Sequence, residues 1–393
     1  MLCLALVAGA AAAAWPAGSP LVPDHEAAGG GWAWVYLALV AAAFAVYLAG
    51  VLLLERVPAP SAAVVALACA IQLVPLVAPV LLSTDVYAYW DYGRIAAVHG
   101  GDPYEDEPRD FPHDPAFPFV GADLRDETSV YGPGFTLASE VHAKAVGESA
   151  DAAAWLYKGL AAAAMIVATL LVARLGRRRA YAAAFVGWNP LLALHFAGGG
   201  HNDAWMAACV LAALVFGTAG RNGLAGAAWA AGVAVKWVPL LFLPLRFLEA
   251  RRVGRPIGHL GFAAAAATVG AVALWRYGWS WLGAFGPLGQ NVVEERAAYS
   301  IPSRIAELGV SEGAAVALFA ALFGLAYLWL LREAWRGRAR LALTASLLLV
   351  ATSFLRPWYA VWAVPLAAIE EDRTARWLVL ALSAYLLRDT VPL

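Results

Sequence analysis

The chain has 393 residues, 62% of them hydrophobic and only 14% charged, with a mean hydropathy of +0.67 and a formal net charge of −1. Soluble domains carry about 25% charged residues, so this composition indicates a polytopic membrane protein. It excludes nucleic-acid binding, because no basic face or stacking platform occurs. It also excludes a disulfide framework, because Cys3, Cys69 and Cys209 stand singly in apolar runs.

About twenty apolar residues cross a bilayer, and runs of that order predict spans near 2–17, 32–54, 61–82, 151–173, 180–197, 203–219, 257–276, 312–331, 341–355, 358–370 and 375–388. The first run lacks a basic leader and reads as a short membrane helix rather than a signal peptide. All of 1–393 therefore forms one integral membrane domain with an all-α fold. The arginine clusters at 174–179, 251–255 and 332–340 are assigned to the cytoplasm. The stretch 83–150 then faces outward as a long first outer loop with short interfacial helices, and it carries thirteen acids against four Lys/Arg. The connections 198–202 and 277–311 fall on the same side by alternation.

Two regions break the alternation. Region 223–248 has arginines at both ends and Lys236 at its centre, followed by Trp237-Val238-Pro239. A re-entrant hairpin of two half-helices turning near Lys236 resolves this, and such backbone needs a protein or water-filled surround at membrane depth. The second break is at Ser353-Phe354-Leu355-Arg356-Pro357, where Pro357 disfavours helix at Arg356. Two short spans meeting at an outer turn are expected there.

The chemistry concentrates in a few strings. In Ser83–Arg94, Asp85, Tyr89 and Tyr92 share a helical face, and Asp91 and Arg94 stand at i, i+3. Asp85 beside the end of a span suits a general base accepting a hydroxyl proton. The same residues also fit a bland role, with Asp85 complementing a helix dipole and the aromatics anchoring the interface. Gly101-Asp102-Pro103-Tyr104 is a turn signal, and Tyr131-Gly132-Pro133 returns the chain to the membrane with an aromatic fit to pack on a sugar ring. Gly198-Gly199-Gly200-His201-Asn202-Asp203 combines a helix start with a glycine-rich backbone open to close approach by a ligand. Lys236 is the single charge of an apolar interior, a functional candidate by position. Arg304 and Arg356 are cations beside outer turns, suited to a phosphate. No histidine spacing forms a metal triad, so no metal or other cofactor is expected.

At these strings the chain resembles the GT-C membrane glycosyltransferases that use polyprenyl-phosphate sugars, and within them the actinobacterial polyprenol-phosphomannose-dependent alpha-mannosyltransferases. The strings are Asp85-Val86-Tyr87-Ala88-Tyr89 with Gly93-Arg94, Gly101-Asp102-Pro103-Tyr104, Tyr131-Gly132-Pro133, Gly199–Asp203, Val235–Pro239 and Arg356–Trp362. They run in family order from 83 to about 366. The resemblance implies a GT-C-type helix bundle, a catalytic acid at Asp85, and transfer with inversion from a lipid-linked mannose donor to a glycan or glycolipid acceptor. It leaves Tyr89, Arg94, Asp102, Tyr131, His201, Asn202, Asp203, Lys236, Arg304, Arg356 and Tyr359 as substrate-binding candidates. The chain departs from many relatives in a shorter membrane region after Pro365 and in its acidic 105–128 loop. The alternative class is a transporter or flippase for a lipid-linked sugar or another polar solute, which Lys236 and the broken helices also suit, although no internal repeat is visible.

Overall fold

The computed structural model describes residues 1–23, 30–285 and 298–393. Within them the first half of the chain forms α1 (Leu2–Ala12), α2 (Gly31–Leu54), α3 (Ser61–Leu73), α4 (Asp85–Ala97), α5 (Pro133–Val146), α6 (Ala150–Leu175), α7 (Arg179–Gly187) and α8 (Pro190–Ala193). The second half forms α9 (Asp203–Thr218), α10 (Asn222–Val235), α11 (Phe242–Arg252), α12 (His259–Tyr277), α13 (Ile301–Ala306), α14 (Glu312–Trp335), α15 (Leu341–Ala351), α16 (Val364–Ile369) and α17 (Arg373–Tyr385). No strand occurs among the described residues, and the protein is an all-helical bundle of membrane-protein character. Part of the expected outer connection 277–311, residues 286–297, lies outside the described residues.

Four described helices, α2, α6, α12 and α14, are long and apolar enough to cross a membrane. Several other apolar runs form shorter helices than the sequence suggested, and for three of them the break is visible. The run 180–197 is broken at Pro190, where the Asn189 side chain accepts the Leu191 amide at 3.1 Å and the chain continues through a π-helical turn over Leu194–Gly198. The run 61–82 leaves regular helix at Leu73, just ahead of Pro75. The break at Arg356-Pro357 is present: α15 stops at Ala351, Arg356 is extended, and a short 3-10 helix follows over Pro357–Trp362.

Charges mark the two ends of the bundle. At one end Arg177 pairs with Glu371, Arg376 with Glu55 and Arg340 with Asp372 at 2.6–2.7 Å, and Glu249 accepts the Ala339 amide at 3.0 Å. The 26-residue helix α6 runs from the loop 83–150 to this arginine-rich end, a length of about 39 Å at 1.5 Å per residue. Helices α10 and α11 start and finish at the arginine-rich end and reverse at Lys236, which is extended with φ −153° and ψ 144°. The reversal is held from outside. Gly132 donates its amide to the Val235 carbonyl at 3.1 Å, and the Trp237 indole donates to the Val130 carbonyl at 3.2 Å.

Helix α4 is surrounded by protein. Tyr87, Tyr89, Trp90, Asp91, Tyr92 and Arg94 are all under 9% exposed, and Tyr89 packs edge-on to Tyr131, Phe135 and Tyr157 at 4.9–5.4 Å. Interfacial anchors would present their rings to the surface, so that bland reading of the segment does not hold. The i, i+3 pairing of Asp91 with Arg94 is also not formed. Arg94 instead turns across the loop to Asp114, with Nε at 2.7 Å, and His99 meets the same carboxylate at 2.6 Å. Both Asp91 oxygens are buried without a hydrogen-bond partner among the described residues. Burial, with Asp114 nearby, pushes the Asp91 carboxyl up to about 7 against the pull of Arg94.

Candidate active site

At the end opposite the arginine clusters lies a cavity of about 520 Å³. One wall comes from the start of α4 and the returning loop: Ser83, Thr84, Asp85, Ala88, Tyr92, Gly121, Asp123, Glu127 and Tyr131. The second wall, which meets the first where Lys236 and Trp237 contact Tyr131 and Val130, comes from the α10–α11 reversal and the break after α15: Lys236, Trp237, Thr352, Phe354, Arg356, Trp358, Tyr359 and Trp362. The first wall carries acids and the second carries cations set among aromatic rings.

Asp85 opens α4, where a carboxylate complements the helix dipole. One carboxylate oxygen accepts from the Ser83 hydroxyl at 2.8 Å. The other accepts from the Tyr89 hydroxyl at 3.2 Å and faces His201 Nδ1 at 3.0 Å. Burial alone pushes this carboxyl up. The charge and hydrogen bond of His201, the Ser83 hydroxyl and the charge of Lys236 outweigh burial and hold it at about 2. Asp85 is therefore ionised at neutral pH and reaches the cavity with a side chain 17% exposed.

His201 is fully buried beneath it and stacks on the Trp358 ring, with centroids 3.7 Å apart and planes 12° apart. Its Nε2 is buried without a hydrogen-bond partner among the described residues. The glycines before it explain how it arrives there. Gly200 has φ +74°, and a Cβ on it would stand 2.3 Å from Val86 of α4, so only glycine fits. The sequence suggested that this turn cradles a ligand. Instead it packs against α4, and His201, Asn202 and Asp203 lie beneath the cavity and do not line it.

Two residues further on, Asp203 holds Lys236 as a buried counter-charge. Its oxygens lie 2.8 and 2.9 Å from Lys236 Nζ, and the Trp362 indole donates to the first at 2.6 Å. The ammonium also sits against the faces of Tyr359 (4.8 Å), Trp362 (5.6 Å) and Tyr131 (5.9 Å), a favourable setting for a cation. Arg356 differs: it stacks over Phe354 at 4.6 Å and makes no ion pair among the described residues.

Of the residues singled out from sequence, Asp85, Tyr131, Lys236, Arg356 and Tyr359 line the cavity, and Tyr89, His201 and Asp203 support it. Three lie elsewhere. Arg94 is tied to Asp114. Asp102 accepts the Tyr104 amide at 3.0 Å and the Ser280 hydroxyl, as a turn residue does. Arg304 pairs with Glu307 at 2.7 Å near the surface. Asn202 is buried, and its amide atoms have no hydrogen-bond partner among the described residues. Sequence reasoning passed over Ser83, Trp358 and Trp362. Each stood inside a string already noticed, and the clue for Ser83 was its two-residue spacing from Asp85. Among the described residues no three His, Cys, Asp or Glu side chains converge as metal ligands.

These features define a helical membrane protein with a cavity at one end that sets an ionised carboxylate opposite two cations. The sequence model of the family described as "Alpha-(1->6)-mannopyranosyltransferase, N-terminal domain" matches residues 1–251, and the chain belongs to that family. It is similar to a Corynebacterium glutamicum protein named Alpha-(1->6)-mannopyranosyltransferase A, 28% identical over 178 residues, covering 44% of this chain and 36% of the relative. It is similar also to a Mycolicibacterium smegmatis protein named "Probable alpha-(1->6)-mannopyranosyltransferase", 28% identical over 358 residues, covering 75% of this chain and 62% of the relative. The chain thus spans under two thirds of the length of either relative. No solved structure matches it.

Proposed function

We propose that this protein is an inverting, multi-pass membrane mannosyltransferase of the GT-C type. It takes mannose from a polyprenyl-phosphate donor and transfers it to a hydroxyl of a glycan or glycolipid on the outer face. The observation that carries this reading is the turn His201–Asp203, which holds Asp85 on one wall and Lys236 on the other with two buried side chains. In the reaction the acceptor O–H proton passes to Asp85 while the acceptor oxygen bonds to the anomeric carbon. The bond from that carbon to the phosphate oxygen breaks, and its electron pair leaves with the phosphate. The leaving phosphate develops negative charge, which Arg356 and Lys236 stabilise. Attack opposite the leaving group turns a β-linked donor into an α-glycoside without a covalent intermediate. A base near pKa 2 is weak, but it is ionised at all physiological pH values, and a late proton transfer suits it.

Support for the outer-face assignment is the separation of the cavity from the arginine-rich end, because arginine marks the cytoplasmic side. The α10–α11 reversal serves in this reading as a re-entrant hairpin whose turn is shielded by protein and cavity. The test is turnover by purified protein supplied with polyprenyl-phosphate mannose and a mannoside acceptor, with the product anomer read by NMR. Wild type is expected to form an α-mannoside, and Asp85→Asn to lose about 10²–10⁴-fold in rate. Undiminished turnover in Asp85→Asn removes the assignment of the base. Counterflow of intact lipid-linked sugar without transfer supports a transporter in its place.

A further inference from the structure

We propose that the wall formed by residues 121–128 is the acceptor subsite, and that it takes an uncharged, polyhydroxylated saccharide end and rejects an anionic one. This rests on the mannosyl-transfer reading for the identity of the reaction, but the binding claim stands on the cavity itself. Four observations converge on it.

The wall lies directly against the base. A Cβ on Gly121 would stand 2.4 Å from the Thr84 hydroxyl oxygen, so the loop backbone touches the residue before Asp85. A molecule lying along 121–128 thus occupies the same cavity that Asp85 lines. Next, Asp123 and Glu127 line the cavity on this wall together with Asp85. The Asp123 carboxylate is exposed and has no hydrogen bond or ion pair among the described residues. An ionised carboxylate only accepts hydrogen bonds, through two oxygens, so its natural partners are sugar hydroxyls.

Third, the neighbouring cation is turned away. Arg125 is the only Lys or Arg between Arg109 and Lys144. Its Nε donates to the Val120 carbonyl at 3.1 Å, its guanidinium sits 4.7 Å over the Phe117 ring, and it does not line the cavity. No positive charge on this wall is left to balance an anionic acceptor. Fourth, the cavity is divided by charge. A donor phosphate is repelled from this wall and drawn to Arg356 and Lys236 on the other, which leaves the acidic wall to the second substrate. Like charges brought together in a partly enclosed cavity discriminate strongly, since repulsion there is screened less than in water.

The experiment compares wild type, Asp123→Ala and Asp123→Lys in detergent, the two substitutions falling at an exposed position that leaves the core intact. The probes are neutral mannotriose and the same trisaccharide bearing a terminal phosphate. Acceptor binding is followed by saturation-transfer NMR without donor, and transfer kinetics by polyprenyl-phosphate mannose turnover. Expected for Asp123→Ala is an acceptor Kd and KM about tenfold higher or more, with the donor KM unchanged within about twofold. Wild type is expected to disfavour the phosphorylated probe by at least about tenfold, and Asp123→Lys to narrow or invert that preference. Equal binding of both probes by wild type, or an acceptor Kd insensitive to both substitutions, overturns the subsite. Absence of transfer by wild type alongside Asp123-dependent mannotriose binding overturns the mannosyl-transfer reading and supports the subsite.

Discussion

The two walls of the cavity are built in opposite ways. The acidic wall is contiguous in sequence: Ser83, Asp85 and Tyr89 lie within one helix start, and the loop behind them returns by Tyr131. The cationic wall is assembled from two helix breaks more than a hundred residues apart, at Lys236 and at Arg356. One short turn underlies both, with His201 against the acid and Asp203 against the lysine. The two pairings have different consequences. His201 keeps Asp85 charged and ready to accept a proton, while Asp203 already neutralises Lys236. The phosphate-binding charge of the cavity therefore rests chiefly on Arg356, and Lys236 contributes a placed donor more than a net charge. The difference teaches that a buried counter-charge can activate one group and restrain another within the same site.

The sharpest break of that comparison is Asp85→Asn, with its expected loss of about 10²–10⁴-fold in turnover and intact donor binding. Arg356→Gln comes next. It removes a cation that makes no ion pair among the described residues and is expected to lower kcat/KM for the donor by about 10–100-fold, as steady-state kinetics will show, while thermal stability stays near wild type. Lys236→Met acts differently because it strands Asp203, a fully buried carboxylate. A loss of about 3–5 kcal/mol in unfolding stability is expected. The double variant Lys236→Met, Asp203→Leu should recover most of that stability without recovering activity. Denaturation curves of the three proteins separate the roles, and a stable Lys236→Met single variant would contradict the pairing.

Smaller effects sharpen the acidic wall. Removing His201 as His201→Gln leaves burial to push the Asp85 carboxyl up, so the acid limb of the pH–rate profile should move upward by about one unit or more. An unmoved limb would show that His201 has no hold on the base. The weakest expected effect concerns Asp91. Its folded pKa of about 7 lies above the ordinary carboxyl value of 3.8, so the folded protein holds the proton more tightly than the unfolded chain. Its contribution to stability is present below the ordinary value and is lost as pH rises through about 7. Asp91→Asn should flatten the decline in melting temperature between roughly pH 5 and 8, and an unchanged slope would show that another group governs it.

The helical content and the membrane character follow from the apolar runs, and the four longest helices each fall on one of those runs, although the run 61–82, of comparable length, ends its helix early ahead of Pro75. The helix breaks at Lys236 and Arg356 were legible too, because proline and an isolated charge interrupt an apolar pattern whatever the neighbours are. Asp85 was legible as a candidate, though as one equal to an interfacial anchor. What chose between them was burial: α4 carries its tyrosines, Trp90 and Arg94 inside protein, and no local pattern distinguishes a ring facing lipid from one facing another helix. Partner choice was likewise out of reach. Arg94 stands three residues from Asp91, yet it reaches Asp114, because the loop brings a carboxylate into better geometry than the helix spacing offers. The triple glycine announced a close approach in sequence, but only the fold decided that the approaching group is Val86 of α4 and not a ligand. Local chemistry thus determined which residues carry charge at the helix breaks. Long-range packing, which sums contacts across the whole chain, decided which of those charges face each other across one cavity.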